Sequence, residues 1–185
     1  PWIPFYQNTL VKDSISGNMN FRDTLYSKTF SQKYPHKVAS GIFLHKQYPD
    51  SIIKQIKESK LLEDKEYYYS DLGYYMFKEI IEKKYEQPLN KITDELFYKS
   101  LGMENLGYLP LDRIHEDRIV PTEMDFVFRS QLLKGYVHDQ GAAMQGGVGG
   151  HAGLFSNAND LAKLMQMYLQ YGEYAEEKYL SKEVV

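Results

Sequence analysis

A mainly α fold is what this 185-residue sequence predicts, because in several stretches apolar residues recur at helical spacing between start and stop signals. In "SDLGYYMFKEIIEK", Gly73, Met76, Phe77, Ile80 and Ile81 share one face while Lys78, Glu79, Glu82 and Lys83 share the other, the pattern of a helix burying one side. After Pro88, residues Leu89, Ile92, Leu96 and Phe97 keep the same period until Gly102, which supplies a left-handed stop. Asn157 and Asp160 resemble a capping box ahead of Leu161, Leu164, Met165, Tyr168 and Leu169, and Gly172 closes that run. The expectation is at least four helices around an aromatic-rich core, with few strands.

The elements follow in order along one domain, 1–185. Residues 1–45 mix aromatics with Asn, Ser, Gly and Lys without a sustained period, so loops are expected there, with one helix around Phe21 to Phe30. Residues 46–104 carry the helices that flank the tyrosine cluster. "PDSIIKQIKESKL" starts at Asp50 or Ser51 and places Ile52, Ile53, Ile56 and Leu61 at mostly helical spacing. Ser70 or Asp71 can cap the next helix, since a short side-chain oxygen accepts from the free N–H groups of a first turn. Residues 105–156 form a long, weakly periodic region with turn signals at Gly107, Pro110 and Pro121 and room for a short strand or helix. Within it "GGVGGHAG" must be a loop, because so many glycines lose too much backbone entropy inside an element. Residues 157–185 hold the C-terminal helices.

Composition excludes several classes. The net charge of -3 and the lack of a long basic run argue against nucleic acid as a partner. With no cysteine there is no disulfide framework, thiolate nucleophile or cysteine-ligated zinc. No apolar stretch approaches the roughly 20 residues that cross a bilayer. Tyrosine occurs 17 times, so one tyrosine is weak evidence of chemistry by itself.

Four motifs invite functional readings. Gly147 to Ala152 formally matches a G-x-G-x-x-A dinucleotide fingerprint, but no strand precedes it and the helix after it starts too late to receive a pyrophosphate. Glu123, His138, Asp139 and His151 are metal-capable types without a ligand spacing that ties them together, so neither a metal nor any other cofactor is expected. Ser51 to Lys54 reads S-x-x-K, in which a lysine one turn away helps to deprotonate a serine. Lys54 alternates with Lys57 and Lys60, however, on what reads as a solvated face. Tyr69-Ser70-Asp71 sets a phenol just before a helix start. Such a group could shuttle a proton beside an ammonium, or simply pack next to an Asp cap.

Taken together, "YYYSDLGYYMFKEIIEKKYEQPLNKITDELFYKSLGM" resembles the central portion of the serine β-lactamase and penicillin-binding-protein-like family. There a Tyr-Ser-Asn or Tyr-Ala-Asn motif leads into Leu/Thr-Gly-Tyr, an "IIE" helix and a Leu-Gly-Met loop. Tyr69, Ser70, Asp71, Gly73, Tyr74, Ile80 to Glu82 and Leu101 to Met103 are the counterparts here. "VPTEMDF", "GYVHDQGAAM" and "GGVGGHAGLFSNANDLAKLMQMYL" are similar, in the same order, to a subgroup of envelope-associated hydrolases and esterases, some fused to a glycosidase domain.

The resemblance implies the helical lobe of that family's α/β fold, with most of the antiparallel sheet missing. It implies a bacterial acyl hydrolase of the cell envelope, periplasmic or extracytoplasmic, with membrane proximity coming through the parent protein. Its substrate would be a small molecule or peptidoglycan-derived: a β-lactam, peptidoglycan peptide or ester, cleaved through an acyl-enzyme. Tyr69 takes the proton-shuttle position. Asp71 stands where the family has Asn, which adds a negative charge beside the place of the catalytic lysine. Gly149, Gly150 and His151, in the loop 146–153, would help to line the substrate cleft. The nucleophilic S-x-x-K would precede Pro1 and the Lys/His-Thr-Gly strand would follow Val185, leaving this segment inactive alone and prone to self-association. The alternatives are a non-catalytic relative that binds peptidoglycan or a partner, and a packing scaffold that shares only the fold.

Overall fold

The computed structural model describes residues 3–64 and 66–185; Trp2 of the aromatic opening segment therefore lies outside the described residues. The region expected to be loops carries five short strands. β1 (Leu10–Lys12) and β2 (Met19–Phe21) form an antiparallel hairpin, while β3 (Tyr26–Ser27), β4 (His36–Ala39) and β5 (Ile42–Leu44) form a three-stranded sheet in the order β3-β5-β4. Gly41, at φ +66, makes the tight turn between β4 and β5, a conformation that glycine adopts without a Cβ penalty. The helix expected around Phe21 to Phe30 is absent; β2 ends and β3 lies there instead.

The mainly α expectation is therefore corrected: the described residues are 34% helical and 16% strand, with the strands spread over several small sheets. The physical reason is strand length. Pieces of two to five residues are too short for a period of two to be recognised, and their pairing is set by partners distant in sequence.

The helical half begins with α1 (Tyr48–Glu58), followed by α2 (Leu72–Tyr85) and α3 (Leu89–Thr93), which runs into a π turn at Asp94–Tyr98. A hairpin of β6 (Pro121–Asp125) and β7 (Gln131–Lys134) then precedes α4 (Gln140–Met144) and α5 (Ala158–Leu169), and the chain closes with β8 (Glu173–Tyr174) and β9 (Glu177–Lys178). The main core lies where α1, α2 and α4 meet the three-stranded sheet, around Val38, Leu44, Ile52, Tyr75, Leu133 and Met144. A second cluster under α5 gathers Tyr98, Leu101, Met103, Leu106 and Met167.

α2 presents the face opposite to the one its apolar pattern indicates. Tyr75 is buried and Lys78 turns inward, whereas Tyr74, Phe77 and Ile80 are more than half exposed. What α2 packs against explains the inversion. Its inner neighbour is the glycine-rich loop, which offers backbone carbonyls in place of apolar side chains. Lys78 Nζ answers them, donating to the Val148 carbonyl at 2.6 Å and to Gln145 Oε1 at 3.1 Å.

α5 starts as its sequence indicates: the Asn157 side chain accepts from the Asp160 N–H at 2.8 Å. Asp160 does not complete a reciprocal box, however. Its buried carboxylate turns away to accept from the backbone N–H groups of Asn105 (2.6 Å) and Leu106 (3.2 Å), tying α5 to the loop after α3 across more than fifty residues of chain. Removing it strands two N–H groups, each costing about 1–3 kcal/mol when buried. Asp160→Ala should therefore lower unfolding free energy by about 3 kcal/mol, read as a reduced urea midpoint with an unchanged slope.

Candidate active site

Tyr69, Ser70 and Asp71 lie on the short approach to α2. The Ser70 hydroxyl accepts from the Leu72 N–H at 3.3 Å, and Asp71, although at the N-cap position, makes no side-chain capping bond. Freed from capping, Asp71 faces Tyr69. The negative charge of Asp71 pushes the Tyr69 phenol above its ordinary value, and a hydrogen bond between the two side chains adds to the effect. The Tyr69 ring is 79% exposed, so this phenol is solvated and protonated at neutral pH.

One cleft joins the tyrosine motif to two distant segments. Tyr69 to Leu72 and Tyr75 form one side, Ile3 to Tyr6 another, and Asp139 to Gly141 a third, around about 130 Å³. That is room for a group of a few heavy atoms rather than for a whole peptide.

Asp139 is held in place from behind. Arg129 has a fully buried side chain whose Nε donates to Asp125 at 2.6 Å, while its two terminal nitrogens donate to the carbonyls of Val137 (2.7 Å) and His138 (2.6 Å). The hairpin β6–β7 is thereby stapled to the segment leading into Asp139. Asp139 Oδ1 caps α4 by accepting from the Ala142 N–H at 2.6 Å and also pairs with His151 Nε2 at 2.8 Å. Burial alone would raise this carboxyl, but the bonds from His151 and Ala142 overcome that effect and hold it below the usual carboxylate range.

His151 is buried, with its side chain 3% exposed, and stacks on Tyr75 at 4.3 Å. Gly149 is buried too; its carbonyl accepts from the Tyr108 hydroxyl at 3.0 Å, and a Cβ there would lie 2.9 Å from Ala142. At Gly150 a Cβ would stand 2.3 Å from the Tyr74 carbonyl oxygen, so this contact between loop and helix requires glycine. Of the five residues singled out in the sequence, the structure places Tyr69 and Asp71 in the cleft wall. Gly149, Gly150 and His151 are set behind it, in contact with α2, α4 and Tyr75.

The remaining motifs resolve simply. On α1 the Ser51 hydroxyl donates to the Gln47 carbonyl at 3.2 Å and Lys54 is an exposed partner of Glu58 at 3.8 Å, an ordinary helix surface. The four metal-capable residues separate into two pairs, Glu123 with His138 at 3.3 Å and Asp139 with His151. Among the described residues no three such groups converge. Sequence reasoning missed Tyr75 and Arg129. The first is hidden among neighbouring tyrosines, and the second is recognisable only through carbonyls eight and nine positions away. A pattern available for Asp139 was a short polar residue ahead of Gln-Gly-Ala-Ala, an N-cap signature.

The family model for Beta-lactamase matches residues 22–184, and the chain belongs to that family. Within it, the chain is similar to proteins named "Putative D-alanyl-D-alanine carboxypeptidase": 34% identical over 167 residues to that of Escherichia coli (strain K12), 33% to that of Escherichia coli O157:H7 and 34% to that of Salmonella typhi. Each alignment covers 83% of this chain and 38% of the relative, so the chain spans well under half the length of the curated relatives it matches.

Neutralising Asp71 tests the coupling at the motif. In Asp71→Asn the Tyr69 phenol should titrate at lower pH, back toward its ordinary value, when followed by NMR of ring-labelled tyrosine. An unchanged titration would locate the cause of the shift elsewhere.

Proposed function

We propose that this chain is the part of a serine hydrolase that supplies the proton-relay tyrosine, Tyr69, for cleavage of an amide or ester through an acyl-enzyme. The observation that carries this reading is the position of Tyr69: it ends the approach to α2, at the rim of a cleft, in a chain whose family match extends through the motif. The substrate class is peptidoglycan-derived peptide, β-lactam or ester, in keeping with the names of the relatives. Such substrates place the parent protein outside the cytoplasm. No helix among the described residues is long and apolar enough to cross a membrane.

A phenol relays a proton efficiently when a nearby cation stabilises its phenolate. In the cleft the effect is reversed, because Asp71 raises Tyr69 and no lysine, arginine or histidine lines the walls among the described residues. The reading therefore assigns the serine and the lysine to other parts of the parent and treats the 185-residue chain as inactive by itself. In the full-length parent, Tyr69→Phe should cut turnover of a D-alanyl ester by about 10²–10⁴, while the isolated chain should turn over neither ester nor β-lactam. Unchanged turnover in the parent variant would favour the scaffold reading. A parent without turnover that still retains peptidoglycan fragments would favour the binding reading, which the Tyr69–Asp71 charge relation also supports.

Exposed apolar side chains lie on α2 at Tyr74, Phe77 and Ile80 and on α5 at Leu161, Met165, Tyr168 and Leu169. Faces of this kind support self-association of the isolated chain. Sedimentation velocity should show its weight-average mass rising with concentration.

A further inference from the structure

A second cavity shares no wall residue with the tyrosine cleft. It holds about 440 Å³ between β4, the turn at Pro110–Asp112, the segment 135–137 after β7 and the loop 145–147, a size ordinary for a small-molecule pocket. Phe30, Val38, Leu109, Leu111, Tyr136 and Phe155 give it aliphatic and aromatic walls. Lys37 and Asp112 add one charge of each sign; both are exposed, and Lys37 Nζ already lies over the Tyr136 ring at 5.3 Å. The charge balance therefore selects neither an anion nor a cation.

Two polar side chains of the wall supply opposite halves of a hydrogen-bonding pair. Gln145 has its Oε1 fixed by Lys78 at 3.1 Å, whereas Nε2 is sealed from solvent and has no hydrogen-bond partner among the described residues. A buried N–H without an acceptor is costly. Lys78 borders the neighbouring cavity beside α2 and not this one, so the bond to Oε1 turns the nitrogen end of the amide away from it. His36, on β4, supplies the complement. Its Nε2 lies 3.3 Å from the Lys46 carbonyl, which can only accept, so Nε2 carries the proton. Burial lowers the basicity of the ring, which leaves Nδ1 as an acceptor. Nδ1 faces the residue next to Gln145: a Cβ at Gly146 would stand 3.3 Å from it.

We propose that this cavity binds a phenolic ring, its hydroxyl accepting from Gln145 Nε2 and donating to His36 Nδ1, its ring lying between the aromatic walls. A hydroxyl is donor and acceptor at one atom, which a carboxylate and an ammonium are not. An aromatic body with one polar tip matches walls of this composition. The proposal does not depend on the hydrolase reading: a parent without turnover would leave it standing.

The test is an NMR titration of the isotope-labelled 185-residue chain at neutral pH with p-cresol, p-methylanisole and toluene. These present one ring with a donor and acceptor, with an acceptor alone, and with neither. p-Cresol should shift the amide signals of Leu111, Asp112 and Gln145 to Gly147, and bind about fivefold or more tightly than the other two. N-acetyl-tyrosinamide beside N-acetyl-phenylalaninamide separates the sources: binding of the tyrosyl compound assigns a tyrosine side chain as the ligand, and binding of p-cresol without it assigns a free phenol. Gln145→Glu keeps an oxygen for Lys78 and removes the amide donor, and it should weaken p-cresol about fivefold. His36→Phe keeps a ring on β4, removes the acceptor and should cost a similar factor. The comparison of the three probes on the unaltered chain decides the matter even where a variant fails to fold. Equal binding of p-cresol and toluene, no shift at these amides, or undiminished affinity in both variants would overturn the proposal.

Discussion

A single carboxylate, that of Asp139, connects the parts of this molecule that matter for its cleft. Through one oxygen it starts α4 and anchors His151; His151 in turn supports the ring of Tyr75 on α2. Arg129 stands behind the arrangement, fixing the two carbonyls just before Asp139. Its guanidinium and Asp125 are both buried, and removing one partner from a buried, hydrogen-bonded pair leaves a charge that water cannot reach. The geometry of the cleft therefore depends on polar contacts as much as on the apolar core beside it.

These contacts also explain the unusual inner face of α2. A helix laid on a glycine-rich loop meets exposed peptide groups, which require donors and acceptors. Burying Lys78 depresses its ammonium, an effect that Glu82 and Glu79 partly offset. The lysine stays in place because it donates to the Val148 carbonyl and to the amide oxygen of Gln145, two acceptors beside the glycine-rich loop.

Much of the helical framework was legible in the sequence, because its signals are local. Asn157 accepts from Asp160, and Gly102 and Gly172 adopt positive φ where the runs end. The small sheets were not legible, since strands such as Tyr26–Ser27 exist only by pairing with Ile42–Leu44. The outward turn of Phe77 and Ile80 was misread for a related reason: amphipathic spacing reports two faces but not the chemistry of the neighbour that selects between them. At the site, the phenol ahead of α2 was recognisable from its motif. The Asp139–His151 pair joins residues twelve apart, and a single sequence carries no sign of such a meeting.

Gly150 lies against the main-chain oxygen of residue 74, not against its side chain. Position 74 is therefore free to vary without disturbing that contact, while position 150 is held to one residue. Across descendants of this sequence the two positions would show no correlated substitutions, although they touch. Contact maps inferred from co-variation would miss the seam between loop and helix at which the cleft is shaped.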